Sequence, residues 1–190
     1  MSLAPAPVVY RSTIAWGDDG VLETVAAMRQ IVQDSMASPV LVETARELAH
    51  YGGPDPTNQA RVIRHWLTQV FHFVSDPVKA EHTGTPAYLL GRLAQLGYIS
   101  GDCDDAAVLG AALGMAVGIP ATFTVLAFDD FDPPITGTRG ELAALYRRTD
   151  PRYSHVFASL LTPNGRPIRL DITRPPGSVA PVVRSLTVAV

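Results

Sequence analysis

The sequence predicts an α+β fold in which helices come first and an antiparallel sheet follows. Apolar residues recur at helical spacing up to residue 117, and strand-like runs dominate from residue 121 onward. Between these two parts, Ala106 to Val117 contains no charged or polar side chain. A helix that is apolar on every side belongs inside a fold. We therefore expect a central buried helix packed on an antiparallel sheet, together with an N-terminal helical extension.

The N-terminal part of the chain predicts an extended arm followed by several helices. Residues 1–16 are interrupted by prolines and include Tyr10 and Trp16, aromatic residues that could anchor the arm to another surface. The turn-forming run YGGPDPTN separates the second helix from the third. In chain order, the expected helices are 20–36, 40–50, one that begins near Asn58 as its cap, and Pro86–Leu96 with Gly97 as its stop.

The C-terminal part predicts strands. Residues 121–128 (ATFTVLAF) are rich in β-forming residues, and SHVFASLL and IRLDIT flank a PNGR turn, a pattern typical of a hairpin. An acidic loop that includes Asp129, Asp130 and Asp132, followed by the helical run ELAALYRR, precedes this hairpin. A last strand-like run near the C-terminus has no evident partner. The expected units are an N-terminal arm with helices (1–57), a core (58–175) and an extended tail (176–190).

Composition excludes several classes of function. The chain has 190 residues, a net charge of −3 and no dense basic stripe, so a nucleic-acid-binding surface is not expected. No membrane span and no signal peptide are expected, which favours a protein that is cytoplasmic at synthesis. A single cysteine cannot form an internal disulfide bond.

That cysteine, Cys103, lies in the run GDCDD directly before the apolar helix. The dipole and the unpaired N–H groups of a helix N-terminus favour a thiolate over a thiol. A histidine base and an acid that orients it would complete a nucleophilic site. His155 opens a predicted strand and Asp171 ends its partner strand, so hairpin pairing would place the two side by side. The other histidines are expected on helix faces (His50, His65 and His72) or in a loop (His82).

These segments resemble the transglutaminase-like core of the papain-like cysteine superfamily. The resemblance rests on GDCDDAAVLGAALGMAVGIPATFTVL, SHVFASLL and IRLDIT and covers roughly residues 60 to 174. It implies that Cys103 is the nucleophile, His155 the base and Asp171 the residue that orients the base. FHFVSDPVKAEHTGTPAYLL and the doubled aspartate after the cysteine are most similar to compact transglutaminase-like proteins of tailed phages and prophages. The chain departs from the family's aromatic pattern with His155-Val156-Phe157 after the histidine and with Pro167 to Leu170 before the aspartate.

The resemblance implies acyl chemistry on amide bonds, with a peptidase or amidase as the first expectation and transfer to an amine as an alternative. The substrate would be a peptide or protein amide, with cell-wall peptides as one candidate. A non-enzymatic alternative is a phage virion or tail component, in which the domain assists assembly and the arms at 1–16 and 176–190 dock on neighbouring virion proteins. No cofactor is expected.

The aspartates around Cys103 have a structural interpretation as well. Asp102 can cap the helix, and Asp104 and Asp105 lie in its first turn, where negative charge is favourable. The same charges oppose a thiolate, so a protonated His155 would be needed to offset them. A metal site built from the three carboxylates and a histidine is not expected, because their spacing matches no standard ligand pattern.

Overall fold

The computed structural model describes residues 10–11, 18–74, 82–128, 153–173 and 182–190. Within these ranges the helices are α1 (Asp18–Ser35), α2 (Pro39–Gly52), α3 (Pro56–Val70), α4 (Pro86–Leu96) and α5 (Cys103–Ala116). The strands are β1 (Tyr10–Arg11), β2 (Phe71–Phe73), β3 (His82–Thr83), β4 (Ile99–Gly101), β5 (Ala121–Phe128), β6 (Tyr153–Leu160), β7 (Ile168–Arg169) and β8 (Val182–Ala189). The expected acidic loop and the run ELAALYRR lie outside the described residues, as does nearly all of the arm at 1–16.

The largest sheet has four strands in the order β7-β6-β5-β8, and every neighbouring pair is antiparallel. The last strand, for which the sequence offered no evident partner, pairs with β5 along its length. Two short pairs lie outside this sheet: β1 with β3, antiparallel, and β2 with β4, parallel. The α+β class is confirmed.

Helix α5 lies at the centre of the core, as its apolar sequence predicts. Its residues from Asp104 to Gly114 are all buried, and it packs on β6 and on the N-terminal helices α1, α2 and α3. Glycines on α5 allow this close packing: a Cβ at Gly110 would lie 2.7 Å from Leu170 Cδ1, and one at Gly114 would lie 3.0 Å from Leu160 Cδ1. The small residues of α5 are thus matched to leucines from the hairpin β6–β7.

Two expectations about α3 are wrong. The helix begins at Pro56 with Asp55 as its cap, whose side chain accepts a hydrogen bond of 2.9 Å from the Thr57 N–H, and not near Asn58. Proline suits this first helical position because it lacks the N–H that would otherwise be unpaired. At its other end the helix stops at Val70, since residues 71–73 leave it to pair with β4. His72 therefore lies on a strand and does not share a helix face with His65.

Candidate active site

The hairpin β6–β7 joins His155 directly to Asp171. Residue pairing runs Ser159 with Arg169 and Leu160 with Ile168, and the Leu170 N–H continues it by donating to the Ala158 carbonyl at 2.8 Å. Beyond that point, His155 Nε2 lies 2.7 Å from Asp171 Oδ1. The two side chains are only 11% and 9% exposed. The pairing expected from the PNGR turn is therefore present.

The second carboxylate oxygen of Asp171 also accepts a hydrogen bond. Arg169 Nη2 lies 2.5 Å from Oδ2. Burial raises the pKa of Asp171, but the hydrogen bond and charge of His155, followed by those of Arg169, more than offset it, so the pKa lies below its ordinary value of 3.8. Asp171 is consequently a carboxylate at neutral pH and accepts the hydrogen bond from the Nε2–H of His155.

Cys103 is the first residue of α5 and is partly buried against the core. Its place relative to His155 follows from the direction of the helix. Gly114 of α5 packs on Leu160, the last residue of β6. Four residues earlier in α5, Gly110 packs on Leu170, whose N–H donates a hydrogen bond to the carbonyl of Ala158 in β6. Moving back along α5 therefore corresponds to moving back along β6, and the two elements run in the same direction.

The length of α5 from Gly110 to Cys103 nearly equals the length of β6 from Ala158 to His155. From Gly110 to Cys103 the helix covers about 10 Å at 1.5 Å per residue. From Ala158 to His155 the strand also covers about 10 Å at 3.3 Å per residue. The structure thus joins His155 to Asp171 by a hydrogen bond. Helix α5, whose first residue is Cys103, and strand β6, near whose start His155 lies, begin at the same end of the helix–sheet layer.

The aspartates beside Cys103 connect the helix tip to a distant segment. Asp104 accepts a hydrogen bond from the Thr83 hydroxyl, and Asp105 Oδ1 accepts one from the Gly84 N–H at 2.6 Å. Asp105 Oδ2 also accepts from the N–H of the N-cap residue Asp102 at 3.3 Å. Asp104 and Asp105 are 3% and 6% exposed. Beyond their expected role in the first turn, these two carboxylates hold residues 83 and 84 against the start of α5.

These hydrogen bonds bear on whether the three carboxylates could hold a metal ion. Ligand atoms of Asp102, Asp104 and Asp105 lie within 4.8 Å of one another. However, both oxygens of Asp105 accept the bonds just described, and those of Asp104 accept from Thr83 and, at 2.8 Å, from the Asp105 N–H. Asp104 and Asp105 therefore accept hydrogen bonds on both of their carboxylate oxygens, and their bonds to residues 83 and 84 tie that segment to the start of α5.

The remaining histidines occupy other parts of the fold. His50 lies in the last turn of α2, and His65 lies on the exposed side of α3 near Arg61 and Arg64. His72 stacks on Tyr98, with ring centroids 5.0 Å apart. His82 belongs to the short strand β3. His155, by contrast, is paired with Asp171.

Comparisons of the chain with family models, with curated proteins and with solved structures find no match. Within the described ranges, no helix is both long enough and apolar enough to cross a membrane.

Sequence reasoning missed two residues that shape this site. Arg169 stands two positions before Asp171, and alternate residues of an extended segment project to the same side. That spacing could have identified Arg169 as a partner of the carboxylate. Thr83 carried no comparable signal, because its bond to Asp104 spans 21 positions of the chain.

Proposed function

We propose that this protein performs cysteine-dependent acyl chemistry on amide bonds, with Cys103 as nucleophile, His155 as base and Asp171 as the residue that orients the base. The observation that carries the proposal is the 2.7 Å bond between His155 and Asp171 at the end of the layer where α5 begins with Cys103. The transglutaminase-like resemblance of the sequence assigns the same three residues.

The hydrogen bond to Asp171 determines how the imidazole would act. Because Nε2–H donates to the carboxylate, Nδ1 is the ring nitrogen that would take the proton of the Cys103 thiol. The resulting imidazolium is stabilised by Asp171, whose lowered pKa keeps it ionised. The helix N-terminus favours the thiolate that forms.

The reaction then follows the acyl-transfer scheme. The thiolate attacks the amide carbonyl carbon, and Nδ1–H of His155 returns the proton to the leaving amine as the C–N bond breaks. A thioester with Cys103 remains. Water attacking this thioester breaks its C–S bond and yields a carboxylic acid and the free Cys103 thiol, whereas an amine yields a new amide and the same thiol. The Cys103 N–H is our candidate donor to the oxyanion.

We favour hydrolysis of a peptide or protein amide, since hydrolysis requires no second binding site for an acceptor amine. Cell-wall peptides are a candidate substrate if the protein belongs to a phage, as the sequence resemblance suggests. Under the competing proposal, a virion component with little or no catalysis, Cys103 would have no special reactivity.

Alkylation of Cys103 by iodoacetamide at pH about 6 tests the proposal, because an ordinary thiol is almost unreactive there. We expect the wild-type protein to react much faster than a free thiol and His155→Ala to slow the reaction at least about tenfold, given the size of general-base effects. His65→Ala is the matched control, because it removes an exposed histidine of α3. Equal rates for wild type and His155→Ala would refute the assignment.

Intact-mass spectrometry addresses the chemistry itself. After incubation with cell-wall peptides and with protein extracts, we expect an acyl adduct that maps to Cys103 and is absent in Cys103→Ala. An activated ester such as p-nitrophenyl acetate provides a donor that does not depend on substrate specificity. If neither ester nor amide acylates Cys103, the competing structural proposal is favoured.

A further inference from the structure

Four side chains at the open end of the hairpin form a closed ring of contacts. His155 and Phe157 alternate along β6, and Arg169 and Asp171 alternate along the opposing segment, so each pair projects to one side. Asp171 contacts His155 through Oδ1 and Arg169 through Oδ2. The ring centroids of His155 and Phe157 are 6.3 Å apart.

Arg169 is held by more than its bond to Asp171. Its guanidinium carbon lies 3.9 Å from the centroid of the Phe157 ring, which is a cation–π contact. Phe157 is itself only 6% exposed, so the platform under the guanidinium is fixed. Rotation about the Cβ–Cγ bond moves both oxygens, so a carboxylate held at both oxygens must break two contacts to turn, whereas one held at a single oxygen breaks only one.

We propose that Arg169, stacked on Phe157, is a positioning residue that fixes the carboxylate of Asp171 so that Oδ1 faces His155 Nε2. This inference rests on the proposed function of His155 as the base for Cys103. Arg169 acts through Asp171 and not on the substrate. By keeping the proton on Nε2, it keeps Nδ1 as the nitrogen that receives the thiol proton.

The expected effect of removing Arg169 is moderate. The side chain is 48% exposed, and solvent weakens an ion pair of that kind. Adding the cation–π contact, we expect a loss of about three- to tenfold in the rate of Cys103 alkylation. Lysine would not restore this rate, because an ammonium lacks the planar fork that stacks on a ring while bonding a carboxylate.

The test uses Arg169→Lys and Arg169→Gln in the full chain, with Arg166→Gln as the control. Arg166 is an exposed arginine of the same hairpin. Long-range ¹H–¹⁵N NMR spectra report which nitrogen of His155 carries the proton in the neutral ring. We expect the Nε2–H form in wild type and Arg166→Gln, and a mixture of the two forms in both Arg169 variants. The pH-independent maximum of the alkylation rate should fall about three- to tenfold in the Arg169 variants only.

Two outcomes would overturn the inference. If both Arg169 variants keep the wild-type His155 spectrum and rate, Arg169 has no positioning role. If Arg169→Lys matches wild type and only Arg169→Gln differs, its positive charge alone matters and its geometry does not. Failure of the proposed function can be distinguished from failure of this inference. If the proposed function is wrong, His155→Ala keeps the wild-type alkylation rate. The NMR spectra of the Arg169 variants still decide whether Arg169 orients the Asp171–His155 pair.

Discussion

Replacing Gly101 with alanine would disturb the tip of α5 where Cys103 lies. A Cβ at this position would come within 2.7 Å of both Cβ and Cγ of Asp105, which is closer than real Cβ contacts approach. Asp105 is 6% exposed and bonds the N–H groups of Gly84 and Asp102. The added methyl group must therefore push a buried carboxylate away from its donors.

The cost follows from these contacts. Overpacking a close contact costs about 1–3 kcal/mol, and losing a hydrogen bond to a charged buried group costs about 1.5–3 kcal/mol. Because the two effects overlap, we expect Gly101→Ala to lower the free energy of unfolding by about 2–4 kcal/mol. That is a large fraction of the about 5–15 kcal/mol by which a typical domain is stable.

Urea unfolding followed by circular dichroism measures this loss as a lower midpoint at constant slope. Gly91→Ala is the matched control, since Gly91 lies inside α4 and a Cβ there would meet nothing within 4 Å. We expect that control to stabilise the protein by about 0.4–1 kcal/mol, because alanine favours a helix over glycine. The reasoning is refuted if Gly101→Ala stays within about 0.5 kcal/mol of wild type, the range of an ordinary surface substitution.

Two further predictions concern the residues that follow β7. The pKa of Asp171 is lower in the folded protein than its ordinary value of 3.8, so its carboxylate stabilises the fold fully above that pH and loses this effect as the pH falls through the folded pKa. In urea titrations at several pH values, the difference in unfolding free energy between wild type and Asp171→Asn should shrink on acidification below 3.8. A difference that does not change with pH would contradict this. Leu170→Ala should lower the free energy of unfolding by about 2–5 kcal/mol, because Leu170 is buried against Gly110. Leu161 is exposed on the same hairpin, so Leu161→Ala should lower it far less. Equal losses in the two variants would count against the packing described for α5.

Local signals account for the parts of the fold that the sequence predicts well. Gly97 ends α4 with a φ of 79°, a backbone conformation that glycine adopts without strain. The apolar run after Cys103 is buried as expected. The PNGR turn places Gly165 at a φ of 75° and brings β6 and β7 together, which is enough to pair His155 with Asp171. In each case the residues that determine the structure are neighbours in the sequence.

The features that sequence reasoning missed depend on distant parts of the chain. β8 pairs with β5 across more than fifty positions, and nothing within the run itself identifies that partner. His72 continued a helical pattern, yet pairing of β2 with β4 overrides that pattern from Phe71 onward. The tethering role of Asp104 requires Thr83, which only the folded chain brings to it.

The central claim is that Cys103, His155 and Asp171 act as one unit. Residues that act as a unit have non-additive effects, so a double variant should be no worse than the more damaging single one. The most direct measurement is the alkylation rate of Cys103 at pH about 6 in His155→Ala, Asp171→Asn and the double variant. We expect both single variants to be slower than wild type and the double variant to match His155→Ala. Wild-type rates in both single variants, or losses that multiply in the double variant, would contradict the claim.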